Sequence, residues 1–227
     1  HDALPISVWC RVTSTCLHDA EGRPKRRIGT LNDVDKATRS MLALRYRAEF
    51  DLLTGTYNRD TFHAQAEKAV RDHPDRRYSI IRMDIDRFKV VNDLYGTKKG
   101  DELLIFIAGL LRAEMADGKG VYGRIGGDVF CMCADLPRDR IEALVGRVTA
   151  RLADYPLPHR IVPSFGVCEV DSLDTPIDVL CDWANLALET VKGNFLRRYA
   201  YYDGTLRDKI LEEKDIESRM HDALLEG

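Results

Sequence analysis

The chain has 227 residues, 34 basic and 37 acidic side chains, a formal net charge of -3 and a hydrophobic fraction of 44%, enough to bury a core in one domain of ordinary size with flanking elements. That charge balance gives no bulk electrostatic reason to expect nucleic acid as a partner, so any phosphate binding should be local. No apolar run approaches the roughly 20 residues that span a bilayer, and no basic segment followed by an apolar one opens the chain, so neither membrane insertion nor secretion is expected and a cytoplasmic location is.

In chain order, two extended stretches between Val8 and Leu31 flank the turn-rich segment from His18 to Pro24, which predicts a β-hairpin. From Asp35 to Phe50 there is no Gly or Pro, and Val34, Ala37, Met41, Leu44 and Ala48 alternate at spacings of three and four. This predicts a helix whose apolar stripe either packs on its own domain or pairs with a second copy. The pattern then predicts a helix over about 59–72, a strand over 78–85, a helix over 101–115, a hairpin around Gly126-Gly127 and a helix over 138–152. A strand over 160–170, a helix over 176–192 and a short strand over 198–202 follow. Alternating strands and helices with one central hairpin imply a mixed sheet with helices packed on it. The tail over 204–227 is charged and helical in pattern, with Leu206, Ile210, Met220 and Leu224 apolar. Six cysteines show no metal-ligand spacing and read as reduced thiols; in Cys131-Met132-Cys133 one of the two cysteines is expected to point inward.

Four blocks carry chemistry: Asp51-Leu52-Leu53-Thr54-Gly55 with Asn58-Arg59; Asp84-Ile85-Asp86-Arg87-Phe88-Lys89 running on to Asn92-Asp93-Leu94-Tyr95-Gly96; Gly100-Asp101; and Arg124-Ile125-Gly126-Gly127-Asp128-Val129-Phe130. A two-glycine turn between apolar strands lets the backbone approach a ligand, and Asp128 places a carboxylate beside that opening. Alone, such a turn is usually a plain hairpin. Together, in this order and spacing, the blocks resemble the GGDEF family of diguanylate cyclase domains across 51–203.

The resemblance implies an α/β (α+β) palm-like nucleotidyl cyclase fold with a central mixed sheet. Residues 1–34 resemble the last two strands of a PAS sensor domain, 35–50 become a linker helix, and 204–227 resemble the junction that leads into an EAL phosphodiesterase domain. It also implies GTP as ligand, magnesium or manganese as cofactor, and a homodimer formed through the linker helices or domain faces. Asp84, Asp128 and the carbonyl of Ile85 are then the metal ligands, suiting a hard cation. Backbone amides near Arg87, Phe88 and Lys89 would hold the terminal phosphates, Asn92 and Asp101 would read guanine, and Lys192 would touch phosphate. Arg124, Gly126, Gly127 and Phe130 complete the signature turn. Other readings stay open: Asp84 as a cap for a following short helix, Asn92 as a turn residue, Asp101 as a helix cap, Lys192 as a solvated helix-end cation, and Asp51 paired with Arg59 or with backbone.

Departures from the family pattern carry equal weight. Val129 stands where active members have a glutamate that helps hold metal and is proposed to deprotonate the attacking hydroxyl; valine has no lone pair for either task, so no intact catalytic residue is expected. Thr97 replaces a usual histidine, and Gly193-Asn194-Phe195-Leu196 does not reproduce the glycine-arginine-asparagine ending. The segment Asp117 to Gly123 lacks the arginine and aspartate of the product-inhibition site, so none is expected. The sequence therefore points to a domain that binds GTP with metal, makes little or no cyclic di-GMP and regulates a neighbour. A slow cyclase and a nucleotide-free spacer or dimerisation module are the alternatives.

Overall fold

The computed structural model describes residues 10–33, 35–118, 120–194 and 196–206. It divides at Ala48 into two units. In the first, strands β1 (Cys10–His18) and β2 (Pro24–Asp33) pair antiparallel. Their turn is closed by the carboxylate of Asp19, which accepts the backbone amides of Glu21 at 3.1 Å and Arg23 at 2.8 Å, a common use of aspartate at loop starts. Helix α1 (Asp35–Glu49) follows, with Met41 and Leu44 exposed. Val8 and Val34, which the sequence reading assigned to the hairpin and the helix stripe, lie outside the described residues, as does the tail from 207 onward.

The second unit is built on a five-stranded sheet in the order β4-β5-β3-β6-β7. Its central strand β3 (Tyr78–Ile85) is buried at every position except the half-buried Arg82, because helices cover both faces of the sheet and apolar runs replace polar alternation. On one face Ile81, Met83 and Ile85 join the core with α4 (Thr97–Glu114) and α5 (Arg138–Ala153). On the other, Tyr78 and Ile80 meet α2 (Arg59–Asp72) and α6 (Ile177–Glu189). Strands β4 (Gly120–Gly126) and β5 (Val129–Asp135) form the hairpin, β6 (Pro163–Glu169) pairs antiparallel with β3, and β7 (Tyr199–Tyr201) runs parallel to β6. One parallel pair among antiparallel ones makes the sheet mixed, as expected. No helix among the described residues is long and apolar enough to cross a membrane.

Local chemistry explains the boundaries. Asn58 starts α2 by accepting the Thr61 amide at 3.0 Å, an N-cap of the preferred kind. The expected helix over 101–115 begins four residues earlier, at Thr97, and a separate helix, α3 (Phe88–Tyr95), precedes it. Gly96, with φ +83°, is the break between them, a conformation that suits glycine. Cys131 and Cys133 share one face of β5 and are both buried, with Met132 buried on the other, so the expectation of a single inward cysteine is corrected: alternate residues of a strand point the same way. All six cysteines are free thiols. Helix α6 lies directly on β6 at Gly166, where a Cβ would run into the Ala184 carbonyl oxygen and stand 2.6 Å from the Leu188 amide nitrogen.

Candidate functional site

The signature turn joins β4 to β5, where Gly127 takes φ +56°, and it is held from below by an arginine. Arg124 donates through Nε to the Gly127 carbonyl at 2.8 Å and through Nη1 to both carboxylate oxygens of Asp51 at 3.1 and 3.2 Å. Asp51 also accepts the Thr54 amide at 2.9 Å and the Thr54 hydroxyl at 2.7 Å. Burial works to raise the Asp51 pKa, but the Thr54 and Arg124 donors outweigh it and hold the carboxyl below its ordinary range. The first block therefore buttresses the turn through Arg124, not through the Asp51–Arg59 pairing considered from sequence.

Two carboxylates meet above this support. Asp84, 9% exposed, stands one residue before the end of β3; its Oδ2 accepts Lys192 Nζ at 2.7 Å, while its buried Oδ1 has no hydrogen-bond partner. Asp128 Oδ2 accepts the Ile85 amide at 3.2 Å. Burial first, and the charge of Asp84 second, push the Asp128 carboxyl above the usual aspartate range. Lys192 is drawn down by burial but is raised overall by its contact with Asp84 and by the charges of Glu189 and Asp128. It is thus an ion-pair partner and not a solvated helix-end cation. The cap reading of Asp84 also fails, since Arg87 is the N-cap residue of α3, with no side-chain cap bond.

A divalent cation fits this arrangement. A buried carboxylate oxygen without a partner is costly, and a hard ion beside Asp84 Oδ1 and Asp128 would satisfy it. Among the described residues no group of three His, Cys, Asp or Glu side chains gathers to hold a metal. Val129 is part of the reason: β3 and β5 pair Met83 with Phe130, and continuing that register by one step sets Val129 opposite Asp84.

The raised pKa of Asp128 has a measurable sign. A carboxyl raised on folding stabilises the fold fully below its unfolded value, near about pH 4, and that contribution is lost as pH rises through the folded value. In chelator, Asp128→Asn is therefore expected to melt higher than the parent at neutral pH, with the gap closing below about pH 4. Thermal melts across pH check this; a gap that widens toward acid would contradict it.

The remaining site residues fall into a second group. Phe88 and Lys89 open α3, and Asn92 lies inside it, not in a turn. Asn92 Oδ1 is buried without a hydrogen-bond partner against Gly100, where a Cβ would collide with it. Asp101 is exposed on the second turn of α4, four residues past its start, so it is not a cap. Asn92 and Asp101 thus sit on two packed helices, while Asp84, Ile85, Asp128 and Lys192 gather at the strand ends. Phe130 is fully buried beneath the turn.

Sequence reasoning assigned no role to a third set. Asp86 Oδ1 accepts the Ser164 hydroxyl at 2.8 Å, and Oδ2 accepts the Gly193 amide at 3.1 Å and lies 3.9 Å from Arg198 Nη1. This network ties the start of α3 to β6 and to the segment after α6. The only signal for it was the pair Arg197-Arg198 before the last strand.

A sequence profile of the family described as diguanylate cyclase, GGDEF domain, matches residues 48–195. The diguanylate cyclase DgcM of Escherichia coli K12 is 35% identical over 172 residues, covering 72% of this chain and 41% of that protein. The probable diguanylate cyclase DgcE of the same organism is 27% identical over 199 residues, 83% of this chain but 18% of its own length. The chain thus spans under half the length of these curated relatives. Among solved structures, the coiled coil and GGDEF domain of DgcB from Caulobacter crescentus, in complex with c-di-GMP, superposes with a TM-score of 0.65 at 21% identity, covering 74% of this chain and 93% of that one. At that identity the likeness speaks for the fold.

Proposed function

Because this chain belongs to the GGDEF family of diguanylate cyclase domains, we propose that it binds GTP together with a divalent ion, makes little or no cyclic di-GMP, and regulates a neighbouring domain of a longer protein. The observation that carries this reading is the pairing of Asp84, with its unpartnered buried Oδ1, and Asp128, next to a valine where the third acid would stand. Joining two GTP molecules requires each 3'-hydroxyl to attack the α-phosphate of the other nucleotide and expel pyrophosphate. Negative charge then gathers at the reacting centre, which is why cyclases of this family generally use magnesium.

Each residue has a task in this reading. Asp84, Asp128 and the Ile85 carbonyl hold the ion, Asn92 and Asp101 read the guanine edge, and the start of α3 at Phe88 and Lys89 receives the terminal phosphates. Lys192 exchanges Asp84 for phosphate when nucleotide arrives. With Val129 in place of an acid, no side chain at that position accepts the proton of the attacking hydroxyl. Regulation follows if GTP favours one arrangement of the flanking segments over another, since a ligand shifts an equilibrium only by its differential affinity. The hairpin at the start fits a PAS neighbour and the tail an EAL neighbour, with α1 as the dimerising helix.

The test is calorimetric titration with a slowly hydrolysed GTP analogue in magnesium. Asp84→Ala and Asp101→Ala are each expected to weaken binding by about tenfold or more, for the lost ion ligand and the lost guanine contact respectively. An absence of heat and of thermal stabilisation would leave a nucleotide-free spacer. One observation favours a slow cyclase as the second reading: the raised basicity of Asp128 suits proton acceptance. Cyclic di-GMP formed by the dimer and abolished by Asp84→Ala would select it.

A further inference from the structure

The α3 helix has two working flanks. Phe88 and Asn92 face α4, where they meet Gly100. Val90, two positions from each, points to the other flank, and there a cavity of about 530 Å³ opens between α3, the segment before β6 and the residues after α6. Its size falls in the range of small-molecule sites.

The lining is chemically divided. Arg87, Arg160 and Lys192 supply cations, while Val90, Val91 and Ile161 supply apolar wall. The one carboxylate of the lining, Asp86, is already engaged by Ser164, the Gly193 amide and Arg198, and Lys192 is held by Asp84, so the open charges of the cavity are those of Arg87 and Arg160. His159 also lines it: its Nδ1 is hydrogen bonded to the Tyr95 hydroxyl at 3.1 Å, and its Nε2 is buried without a hydrogen-bond partner. A buried ring nitrogen left alone is a cost that a ligand's polar edge would remove.

We propose that this cavity is a second ligand site, for a phosphate ester of mononucleotide size with a planar body. The phosphate sits between Arg87 and Arg160, where charge-assisted hydrogen bonds are strongest. The planar body lies on Val90 and Ile161, and its polar edge reaches His159 Nε2. Inorganic phosphate alone would leave the apolar walls in water, so the body contributes to affinity through buried area. This inference does not rest on GTP binding between α3 and α4; Lys192 is only part of the wall here, and the two sites share no more than the start of α3.

The experiment uses the 227-residue chain and titrates AMP, whose purine lacks the guanine edge that Asp101 would read, with inorganic phosphate as the comparison. AMP is expected to bind saturably and more tightly than phosphate by about tenfold. Arg160→Glu, at an exposed position, is expected to weaken AMP by about tenfold, and Val90→Trp, which fills the cavity, to abolish binding; Asp101→Ala should leave it within about twofold. Melting curves confirm that the variants fold. The proposal is overturned if AMP shows no saturable binding up to about 10 mM, or if binding survives Val90→Trp but is lost in Asp101→Ala. Equal affinity for phosphate and AMP would overturn the ligand class.

Discussion

Gly166→Val is expected to leave the second unit unfolded, and Gly166→Ala to cost it about 3 kcal/mol, at the upper end of overpacking penalties. The atoms in the way are backbone: the Ala184 carbonyl and the Leu188 amide belong to α6, and a Cβ would also stand 2.9 Å from Leu188 Cβ. A side chain can rotate aside, but a helix backbone cannot without moving the whole element. Shifting α6 would pull Ala184, Ala187 and Leu188, all fully buried, away from the sheet. Against a typical total stability of about 5–15 kcal/mol, a branched residue there exceeds what the fold can absorb. Urea unfolding of Gly166→Ala and amide dispersion of Gly166→Val are the measurements. Gly109→Ala is the matched control: it lies inside α4 with nothing within 4 Å of a new Cβ, so it should gain about 1 kcal/mol. A Gly166→Ala midpoint equal to that of the parent would show that α6 does not sit on β6 in this way.

Val129→Glu is expected to raise cyclic di-GMP synthesis by about two orders of magnitude, the usual worth of a positioned base together with a metal-ligand carboxylate. The β3–β5 register, continued one step past Met83 and Phe130, sets residue 129 opposite Asp84, and directly opposed residues of an antiparallel pair share a face with Cβ atoms about 5 Å apart. A glutamate there reaches the Asp84 and Asp128 pair, adding the missing oxygen ligand and a proton acceptor. Product formation from GTP in magnesium, followed chromatographically, reads the effect, and Asp84→Ala combined with Val129→Glu should return to baseline. A third carboxylate beside two others is also repulsive. In chelator the variant should melt below the parent, and magnesium should recover the loss. No gain in product would place the limiting lesion on the phosphate side, at the altered Gly193 to Leu196 segment.

Much of this was legible in the chain. The limits of α2 and β3 follow from an Asn58 cap and from a mostly apolar stretch, interrupted by Ser79 and Arg82, that leads up to Asp84. The four blocks, with their spacing, bring out the family and hence the mixed sheet. What escaped has physical causes. Helix α3 is only eight residues and meets α4 across the single residue Gly96, so periodicity alone reads no separate element. Asp101 seemed suited to a cap because the helix start was set too late. The contacts of Asp51 with Arg124 and of Asp86 with Arg198 join residues far apart in the chain, and no local pattern announces which arginine will arrive. Nor does a strand pattern reveal that both faces of β5 are covered, which is why Met132 is buried as well as the two cysteines on the opposite face.

The ion pair between Lys192 and Asp84 has one more consequence. An acidic pair buried with no counter-cation commonly makes a domain depend on its ion to fold, so that depletion exposes it to proteolysis. Here Asp84 carries a cation from its own chain, so the domain is expected to reach its folded state without free magnesium. Magnesium depletion alone is then expected to leave the domain folded, while a bound nucleotide would still add stability by mass action.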